Sequence, residues 1–498
     1  MKLNILLCLT NDNILGIKND LYVKLKDDLK YFKRITTDDY YKNKSNVVIM
    51  GYNTYKSISK LFPDGKLLPN RINIVITRNH QEELDELSIT NFPSLHDLFQ
   101  YLECKISEIG KVFIIGGSSI YQEVFENYLS MIDTVHLTKV NTKPLSNNEY
   151  LQAVDKNVVF CKLPFDDLIN SKALQSINYK YDISDGSIYD LKTDSYIDTK
   201  LKYTINVLQN CNTVNNDELQ YLNLLKNILN ENNIKSTRNA DVYSIFGTRM
   251  EFDLRNGFPI LTTKRVPWKT VLRELLWFIS GSTDNRILKE KKVTIWNANA
   301  SREFLDSRDL DYEIDDLGPV YGFQWRHFGA EYVDFDSDYT GKGIDQLKYI
   351  INEIKENPSS RRLILNSWNV MDIHKMALPP CHVMVQFNID KEFIDCQLYQ
   401  RSGDMFLGVP FNITSYAFLL HIIANLTGYI PRKLVHIIGD AHIYSEHLSA
   451  VNKQLMRTPN PFPKLKINKL SDIDDIHEDS FKIINYDHYN TIPAPMIA

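Results

Sequence analysis

Cysteine is scarce in this sequence, and its spacing excludes two kinds of stabilised domain. The 498 residues include six cysteines, with no short paired spacings. Small secreted domains held by disulfides carry far more cysteine, and structural zinc sites need closely spaced cysteine or histidine ligands. The pattern therefore excludes a disulfide framework, predicts no metal site and indicates the reducing environment of the cytoplasm.

Long apolar runs, positive net charge and internal repeats are also missing. No run approaches the roughly 20 apolar residues of a membrane span. The run from Ile5 to Leu9 is too short for a signal peptide and is interrupted at Asn11 to Asn13. The net charge is −5, whereas a general nucleic-acid-binding surface is normally basic. We therefore expect neither a membrane nor a nucleic acid as partner.

The length and the distribution of residue types indicate two domains. A chain of 498 residues is long for a single domain, and all five tryptophans lie in its second half. The polar run from Asn210 to Asn216 is typical of a short linker. We predict domains at residues 1–209 and 217–498, joined by residues 210–216.

The first half alternates between strand-like and helix-like segments. Leu3 to Leu9 predicts a buried strand, and Lys24 to Arg34 predicts an amphipathic helix because Leu25, Leu29 and Phe32 recur at helical spacing. Further strands are predicted at 47–50, 72–77 and 111–115, with a closing edge strand at 202–208.

Asp28 lies beside the apolar stripe of the predicted helix. A carboxylate held against an apolar face tends to have a raised pKa, as a proton donor near neutral pH requires. The alternative is an acidic residue on the shoulder of the helix, facing water.

A glycine pair, Gly116 and Gly117, follows the strand predicted at 111–115. A helix is predicted from Ile120 to Leu129, with Ser118 or Ser119 as its cap. A strand, a glycine pair and a helix start present backbone N–H groups to a phosphate, although most glycine pairs are simple turns.

In the second half, the stretch from Met376 to Phe411 contains the strongest candidate for a nucleophile. Cys381 follows two prolines and begins a strand-like run, and a second such run from Cys396 to Arg401 ends in Q-R-S. A neighbouring guanidinium lowers the pKa of a thiol from about 8.5. The pattern indicates a nucleophile beside an anion site, or alternatively a small core residue on a buried strand.

Two further features of the second half carry charge in informative places. Glu274 lies on an apolar helix beside Trp277 and Phe278, which favours burial, and a buried carboxylate needs a partner or a function. The adjacent pair Arg361 and Arg362 is suited to clamping an anion, or to an exposed surface.

Residues 1–205 resemble the dihydrofolate reductase family at L-G-I (15–17), D-L-K-Y-F-K-R (28–34), I-M-G-x-x-T (49–54), L-P-N-R-x-N (68–73), I-I-G-G (114–117) and L-T (137–138). The resemblance implies an α/β domain with a central, mostly parallel sheet and flanking helices, reducing dihydrofolate with NADPH. It implies that Asp28 supports protonation of the pterin, with Thr138 as its hydrogen-bond partner. The implied folate contacts are Leu6, Asp28, Phe32, Arg71 and Thr138, and the implied NADPH contacts are Gly16, Gly51, Thr54, Thr77, Arg78, Ile115, Gly116, Gly117 and Tyr121.

Three positions depart from the reductase pattern. The usual P-W before the acidic helix is Tyr22-Val23, the usual arginine of M-G-R is Tyr52, and the expected G-D-T is replaced by S-N-N-E at 146–149. The change at Tyr52 removes one contact to a cofactor phosphate. These departures bear on affinity more than on the chemistry.

Residues 217–498 resemble the thymidylate synthase family through P-C-H at Cys381, Q-R-S-x-D (400–404), L-G-x-P-F-N-I (407–413) and G-D-A-H-I-Y (439–444). The resemblance implies an α+β domain in which Cys381 attacks C6 of dUMP and 5,10-methylenetetrahydrofolate supplies the carbon and the hydride. Glu274 would organise proton transfer with Tyr321 and His382, while Trp296 and Asp404 would contact the folate. The implied dUMP contacts are Arg238, Arg401, Ser402, Asp404, Asn412, His442 and Tyr444, with Arg361 and Arg362 reaching across a homodimer interface.

Together the two halves resemble the bifunctional dihydrofolate reductase–thymidylate synthases of protists and plants. The second domain would make dihydrofolate, and the first would reduce it. The alternatives are an active synthase with a weakened reductase, a pyrimidine hydroxymethylase, and an RNA-binding regulator. Asn412 favours dUMP over a cytosine substrate, for which an aspartate is expected.

Overall fold

The chain folds as two compact units, Met1–Val214 and Asn215–Ala498. The computed structural model describes residues 1–62, 67–143, 145–146, 149, 158–160, 174–210, 214–237 and 240–497. Each unit is built around its own sheet.

The N-terminal unit is a nine-stranded sheet flanked by helices, with a small sheet of order β10-β2-β3. The large sheet has the order β4-β11-β12-β9-β1-β8-β5-β6-β7. The strands are β1 (Leu3–Thr10), β2 (Ile14–Ile17), β3 (Asp20–Leu21), β4 (Val23–Leu25), β5 (Ser45–Gly51), β6 (Ile72–Ile76), β7 (Asn91–Phe92), β8 (Ile109–Ile114), β9 (Ile132–Asn141), β10 (Val158–Phe160), β11 (Leu174–Asp190) and β12 (Ser195–Asn210). The helices are α1 (Lys26–Thr37), α2 (Tyr52–Ser59), α3 (Gln81–Glu86), α4 (Leu95–Cys104) and α5 (Ser118–Asn127).

The centre of this sheet is parallel, as predicted. Strand β1 pairs in parallel with both β8 and β9, and β5 pairs in parallel with β8 and β6. These strands are near-continuous apolar runs because helices cover both faces of a parallel sheet. Residues 47–50, for example, are fully buried.

Three predictions for this unit need correction. Residues 202–208 do not form an edge strand, because β11 pairs along the other side of β12. Neither Ser118 nor Ser119 caps α5, since the extended residue before the helix is Gly117. The helix predicted from Lys24 begins only at Lys26, because Leu25 belongs to β4, and Leu29 is 49% exposed because this face of α1 borders a cavity.

The C-terminal unit is an α+β fold around a six-stranded sheet of order β13-β14-β18-β17-β16-β15. Its strands are β13 (Ile234–Ser236), β14 (Asp241–Asp253), β15 (Ile364–Asn366), β16 (His382–Asp390), β17 (Phe393–Asp404), β18 (Ile430–Tyr444), β19 (Lys464–Ile467) and β20 (Phe481–Ile484). Its helices are α6 (Asn216–Glu231), α7 (Trp268–Ile279), α8 (Asn285–Glu290), α9 (Arg302–Asp306), α10 (Tyr321–His327), α11 (Gln346–Glu356), α12 (Gly408–Thr427) and α13 (Leu448–Leu455).

Helix α12 is the central helix of the C-terminal unit. By length and composition it is the one helix among the described residues that could cross a membrane, but 72% of its apolar window is buried inside the fold. A helix that is apolar all round is expected where every face is covered by protein. Its first turns carry Asn412 to the sheet.

Candidate active sites

The N-terminal unit contains a cavity of about 970 Å³ beside its sheet. Strands β1 and β9 and helices α1, α2 and α5 contribute to its walls. The predicted site residues that line it are Leu6, Gly16, Asp28, Phe32, Gly51, Thr54, Arg71, Ile115, Gly116, Gly117, Tyr121 and Thr138. The cavity thus gathers residues that are up to 132 positions apart in the sequence, from Leu6 to Thr138.

Asp28 is the acidic group of this cavity. The Thr138 hydroxyl donates a hydrogen bond of 2.6 Å to Asp28 Oδ1. Burial raises the pKa of Asp28 to about 6, although the neighbouring Thr138 hydroxyl and Cys8 thiol act in the opposite direction. An acid with this pKa can hold or release a proton close to neutral pH.

The glycine pair forms one wall of the cavity, at the start of α5. The Gly51 N–H donates to the Gly116 carbonyl at 2.8 Å. Gly116 has a φ of +129°, and a Cβ on either glycine would lie within 3.3 Å of Thr54 Oγ1. The Tyr121 hydroxyl donates to the Leu6 carbonyl at 2.6 Å and ties α5 to β1. A flat ligand can therefore approach the backbone here, and the start of α5 is suited to an anionic group.

Arg71 lies at another edge of the cavity with its guanidinium partly buried. Its Nη1 donates to Thr36 Oγ1 at 2.6 Å, and its Nε donates to the Pro69 carbonyl at 3.0 Å. The guanidinium carbon is 5.9 Å from the centre of the Phe32 ring. These contacts hold a fixed cation, suited to a carboxylate, beside an aromatic wall.

Thr77 and Arg78 do not line the cavity, in contrast to the other residues predicted to contact a cofactor. They follow directly after β6, and the cavity edge near them is formed by Tyr52 and His80. The two rings stack with centroids 3.8 Å apart. The Tyr52 hydroxyl donates to Glu83 Oε2 at 2.5 Å, and Lys56 Nζ donates to Glu83 Oε1 at 2.5 Å. A carboxylate is therefore fixed close to this edge.

In the C-terminal unit, Cys381 lies immediately before β16, close to the predicted strand start. Its backbone N–H donates to the Tyr321 hydroxyl at 2.7 Å, and its carbonyl accepts from the Arg401 N–H at 2.9 Å. The Arg401 side chain donates from Nε to the Pro380 carbonyl at 2.9 Å and from Nη2 to the Pro379 carbonyl at 3.1 Å. The two prolines thus fix the guanidinium beside the cysteine.

The net effect on the thiol differs from the prediction. Burial raises the pKa of Cys381, and Arg401 lowers it by a smaller amount. The predicted direction of the arginine effect is correct, but desolvation outweighs it. Attack by Cys381 therefore needs a step that takes up the thiol proton.

Glu274, Trp296, Tyr321 and His382 form a largely buried cluster near Cys381. The Trp296 indole N–H donates to Glu274 Oε1 at 2.8 Å. Burial raises the pKa of Glu274 to about 7 and lowers that of His382 to about 4. The Tyr321 ring lies 6.0 Å from Trp296 and 5.2 Å from His382. The carboxyl is thus the member of this cluster able to exchange protons at neutral pH.

The remaining polar residues converge from β17, β18 and α12. Asn412 Oδ1 accepts from Gln400 Nε2 at 3.0 Å, and Gln400 Oε1 lies 2.8 Å from His436 Nε2. Asp404 pairs in register with His442, and Ser402 with Asp440. Tyr444 follows at the end of β18, with its ring 5.2 Å from that of His442. One end of the parallel pair β17–β18 therefore presents hydroxyl, imidazole and carboxylate groups together.

Asp404 is held as an anion within this group. Burial acts to raise its pKa, but the His447 imidazole, 3.6 Å away, and the hydrogen bonds from the Phe406 and Leu407 N–H groups outweigh burial and lower it. The Phe406 N–H donates at 2.8 Å.

Two of the predicted phosphate ligands lie elsewhere, and one is not described. Arg361 and Arg362 are exposed in the turn between α11 and β15. Within the described part of the chain, the hydrogen bonds of these two residues use backbone groups: the Arg362 N–H donates to Ser360 Oγ, the Arg361 carbonyl accepts from Gln386 Nε2, and the Arg362 carbonyl accepts from the Ile364 N–H. Arg238 lies outside the described residues.

Several site residues were not predicted from the sequence. In the N-terminal unit they are Cys8, Tyr31 and His136, all in the cavity wall, with the Tyr31 hydroxyl 2.7 Å from His136 Nδ1. In the C-terminal unit they are Gln400, His436 and His447. The alternation of β9, which places His136 and Thr138 on one face, was the available signal.

No group of three or more histidine, cysteine or acidic side chains that could hold a metal ion occurs in the described part of the chain. Its described cysteines, Cys8, Cys104, Cys381 and Cys396, are free thiols.

Comparisons with known proteins assign both units. The family model for thymidylate synthase matches residues 219–498, and that for dihydrofolate reductase matches residues 2–162. A bifunctional dihydrofolate reductase-thymidylate synthase of Zea mays is 40% identical, with 98% of this chain and 95% of the maize protein covered. The protein of the same description from Paramecium tetraurelia is 38% identical, covering 99% of this chain and 98% of that one.

Proposed function

Since the chain belongs to the bifunctional dihydrofolate reductase–thymidylate synthase family, we propose that it converts dUMP to dTMP with 5,10-methylenetetrahydrofolate and reduces the dihydrofolate product with NADPH. Residues 217–498 form the synthase and residues 1–209 the reductase, with residues 210–216 as the link. The observation that carries the proposal is the presence in one chain of the Asp28–Thr138 pair inside a cavity and of Cys381 beside Arg401.

In the synthase, Cys381 is the nucleophile for C6 of dUMP. Because burial keeps its thiol protonated, the thiol passes its proton to solvent, and the Arg401 guanidinium beside it stabilises the thiolate. The sulfur then bonds to C6 as the electrons of the C5–C6 double bond move towards the C4 carbonyl. Arg401 and Ser402 bind that phosphate along with Arg238. Asn412 reads the uracil edge, its amide oriented by Gln400, while His442 and Tyr444 hold the ribose hydroxyl.

Proton transfer at the pyrimidine is the role of Glu274. Its pKa of about 7 lets it exchange protons at physiological pH, and Tyr321 and His382 complete its surroundings. Trp296 and Asp404 contact the folate. The anionic Asp404 accepts hydrogen bonds, in agreement with binding an N–H group of a pterin.

In the reductase, Asp28 supports protonation of the pterin while NADPH supplies a hydride when bound. The fit of the cofactor to this unit is supported by the glycine pair, where a side chain would meet Thr54. Gly16, Gly51, Thr54, Ile115, Gly116, Gly117 and Tyr121 would hold it, with Thr77 and Arg78 towards the 2′-phosphate. Phe32 and Leu6 would enclose the folate, and Arg71 would bind the α-carboxylate of its glutamate tail.

The synthase acts as a homodimer in this proposal. Arg361 and Arg362 are exposed and have no described contact with Cys381 or Arg401 of their own chain. They are therefore available to a phosphate bound in a second copy of this chain. A reducing, cytoplasmic setting is consistent with the free thiols of the described cysteines.

Two single substitutions test the assignment of the activities. Cys381→Ala should abolish dTMP formation, by at least about a thousandfold since no other nucleophile replaces the thiol, and leave dihydrofolate reduction unchanged. Asp28→Asn should have the reverse effect. Formation of dTMP by Cys381→Ala, or loss of both activities in both variants despite normal folding, would contradict the proposal.

A further inference from the structure

Cys8 occupies the same corner of the reductase cavity as Asp28 and Thr138. It lies on β1 and is the register partner of Thr138 on the parallel strand β9. Register partners on neighbouring strands project to the same face of a sheet. Cys8, Asp28 and Thr138 all line the cavity, so the thiol and the hydroxyl approach the carboxylate from adjacent strands.

The thiol lies close enough to this carboxylate for the two groups to interact. Asp28 accepts a hydrogen bond from Thr138, and both Thr138 and Cys8 favour its ionised form against the effect of burial, which raises the pKa of Asp28. Burial and the neighbouring Asp28 raise the pKa of Cys8. Cys8 therefore stays protonated at neutral pH and keeps an S–H to donate.

The other titratable groups around this corner have partners of their own. On α1, Asp27 is paired with Lys30, and Tyr203 of β12 donates to Asp27 at 3.3 Å. Tyr31 and His136 bond each other, and burial keeps both neutral by raising the pKa of Tyr31 and lowering that of His136 to about 3. Lys24 of β4 is paired with Asp20. Arg34 lies 5.6 Å from the Tyr31 ring.

We infer that Cys8 is a positioning residue of the reductase, whose thiol shares the Asp28 carboxylate with Thr138 and sets the pH range in which Asp28 supports hydride transfer. The inference rests on the proposed role of Asp28. A thiol is a weaker hydrogen-bond donor than a hydroxyl. With cysteine at position 8, Asp28 therefore keeps its proton up to a higher pH than it would with serine there. With a residue that has no donor, Asp28 would keep its proton up to a higher pH still.

The test compares Cys8→Ala and Cys8→Ser in the full-length protein. The infrared carboxyl band that Asp28→Asn removes is followed against pH, and the same variants are assayed for pre-steady-state hydride transfer. Relative to wild type, the midpoint of the Asp28 titration should rise by about half a pH unit in Cys8→Ala and fall by a similar amount in Cys8→Ser. Hydride transfer, which declines as Asp28 loses its proton, should decline over the same shifted ranges.

The matched controls are Cys104→Ala and Cys104→Ser, since Cys104 is exposed at the end of α4. In both controls the Asp28 carboxyl band should titrate as it does in wild type. Synthase activity is measured in every variant to show that the chain is folded. Midpoints that coincide with wild type in both Cys8 variants, or that shift in one direction in both, would overturn the inference. Because the infrared titration needs no turnover, it tests the role of Cys8 separately from the proposed function. The proposed function would be overturned by a different result, an Asp28→Asn variant that still reduces dihydrofolate.

Discussion

The Trp296 indole N–H donates a hydrogen bond of 2.8 Å to the Glu274 carboxylate. This bond favours the ionised form of Glu274, but burial dominates and raises its pKa to about 7. The synthase site therefore contains a carboxyl group that keeps its proton up to about neutral pH, as a proton-exchanging residue requires. Because ionising this group is unfavourable in the folded protein, it also affects the free energy of unfolding.

Glu274→Gln should remove a pH dependence of stability from the synthase unit. Because the pKa rises from its ordinary 4.5 to about 7 on folding, the folded chain holds this proton more tightly between those pH values. The contribution of Glu274 to stability is therefore lost as pH rises through this window. Between pH 4.5 and pH 7, the free energy of unfolding of the Gln variant should therefore rise, relative to that of wild type, by at most about 3 kcal/mol, since each unit of pKa shift corresponds to about 1.4 kcal/mol.

Tryptophan fluorescence during urea unfolding measures this difference, since all five tryptophans lie in the synthase unit. The matched control is Glu290→Gln, an exposed residue at the end of α8, which should follow wild type at every pH. Parallel curves for wild type and Glu274→Gln would show that Glu274 titrates normally in the folded protein.

Glu83→Gln should tighten NADPH binding to the reductase. Glu83 binds both Lys56 and Tyr52. Tyr52 lines the cavity edge, at the position where the reductase pattern usually has an arginine, and Lys56 Nζ lies 5.2 Å from the centre of its ring. Removing the carboxylate leaves the Lys56 cation free for a cofactor phosphate. We expect a two- to fivefold lower Kd for NADPH, because exposed charge interactions are weak, and a smaller change for NADH.

Titration of cofactor fluorescence gives both constants. Glu82→Gln on the same helix provides the control, because Glu82 is exposed and does not line the cavity. Weaker NADPH binding by Glu83→Gln would indicate instead that Glu83 supports the wall formed by Tyr52 and His80.

Inactive synthase variants should complement each other across the dimer. A double variant, Arg361→Ala with Arg362→Ala, keeps Cys381, while a Cys381→Ala chain keeps both arginines. If the arginines act on the partner's phosphate, a mixed dimer has one complete site, so random mixing should restore roughly a quarter of wild-type activity. The assay is dTMP formation after the two proteins are unfolded and refolded together.

The control mixture pairs Cys381→Ala with Arg401→Ala. Arg401 and Cys381 belong to one site within one chain, so neither site of that mixed dimer is complete and activity should stay absent. Equal recovery in both mixtures would contradict the cross-subunit role of Arg361 and Arg362.

The sequence predicted the helices and strands whose apolar residues recur at regular spacing because they are buried. It also predicted the motifs that form the two candidate active sites. Strand β1 and helix α5 lie within two residues of their predicted bounds, because their apolar residues face a core. The predictions for the cap of α5 and for the position of β12 in the sheet were wrong. The cap depends on the conformation of Gly117, and the position of β12 depends on its pairing with β11, which has no clear local signal in the sequence.

Site electrostatics were harder to predict than site membership. The effect of Arg401 on Cys381 was predicted in sign, but the larger effect of burial was not, because desolvation depends on every element packed around the thiol. Likewise, Cys8 was interpreted only as part of a strand. Its contact with Asp28 depends on the register of β1 against β9 and on the approach of α1.

The most direct test of two coupled activities in one chain is NADPH oxidation by the purified protein given methylenetetrahydrofolate, with and without dUMP. We expect oxidation only when dUMP is present, with one NADPH consumed for each dTMP formed, because dihydrofolate arises only from the synthase reaction. Cys381→Ala should oxidise NADPH when given dihydrofolate but not when given dUMP. Oxidation that does not depend on dUMP, or dTMP formation with accumulating dihydrofolate and unchanged NADPH, would contradict the proposed cycle.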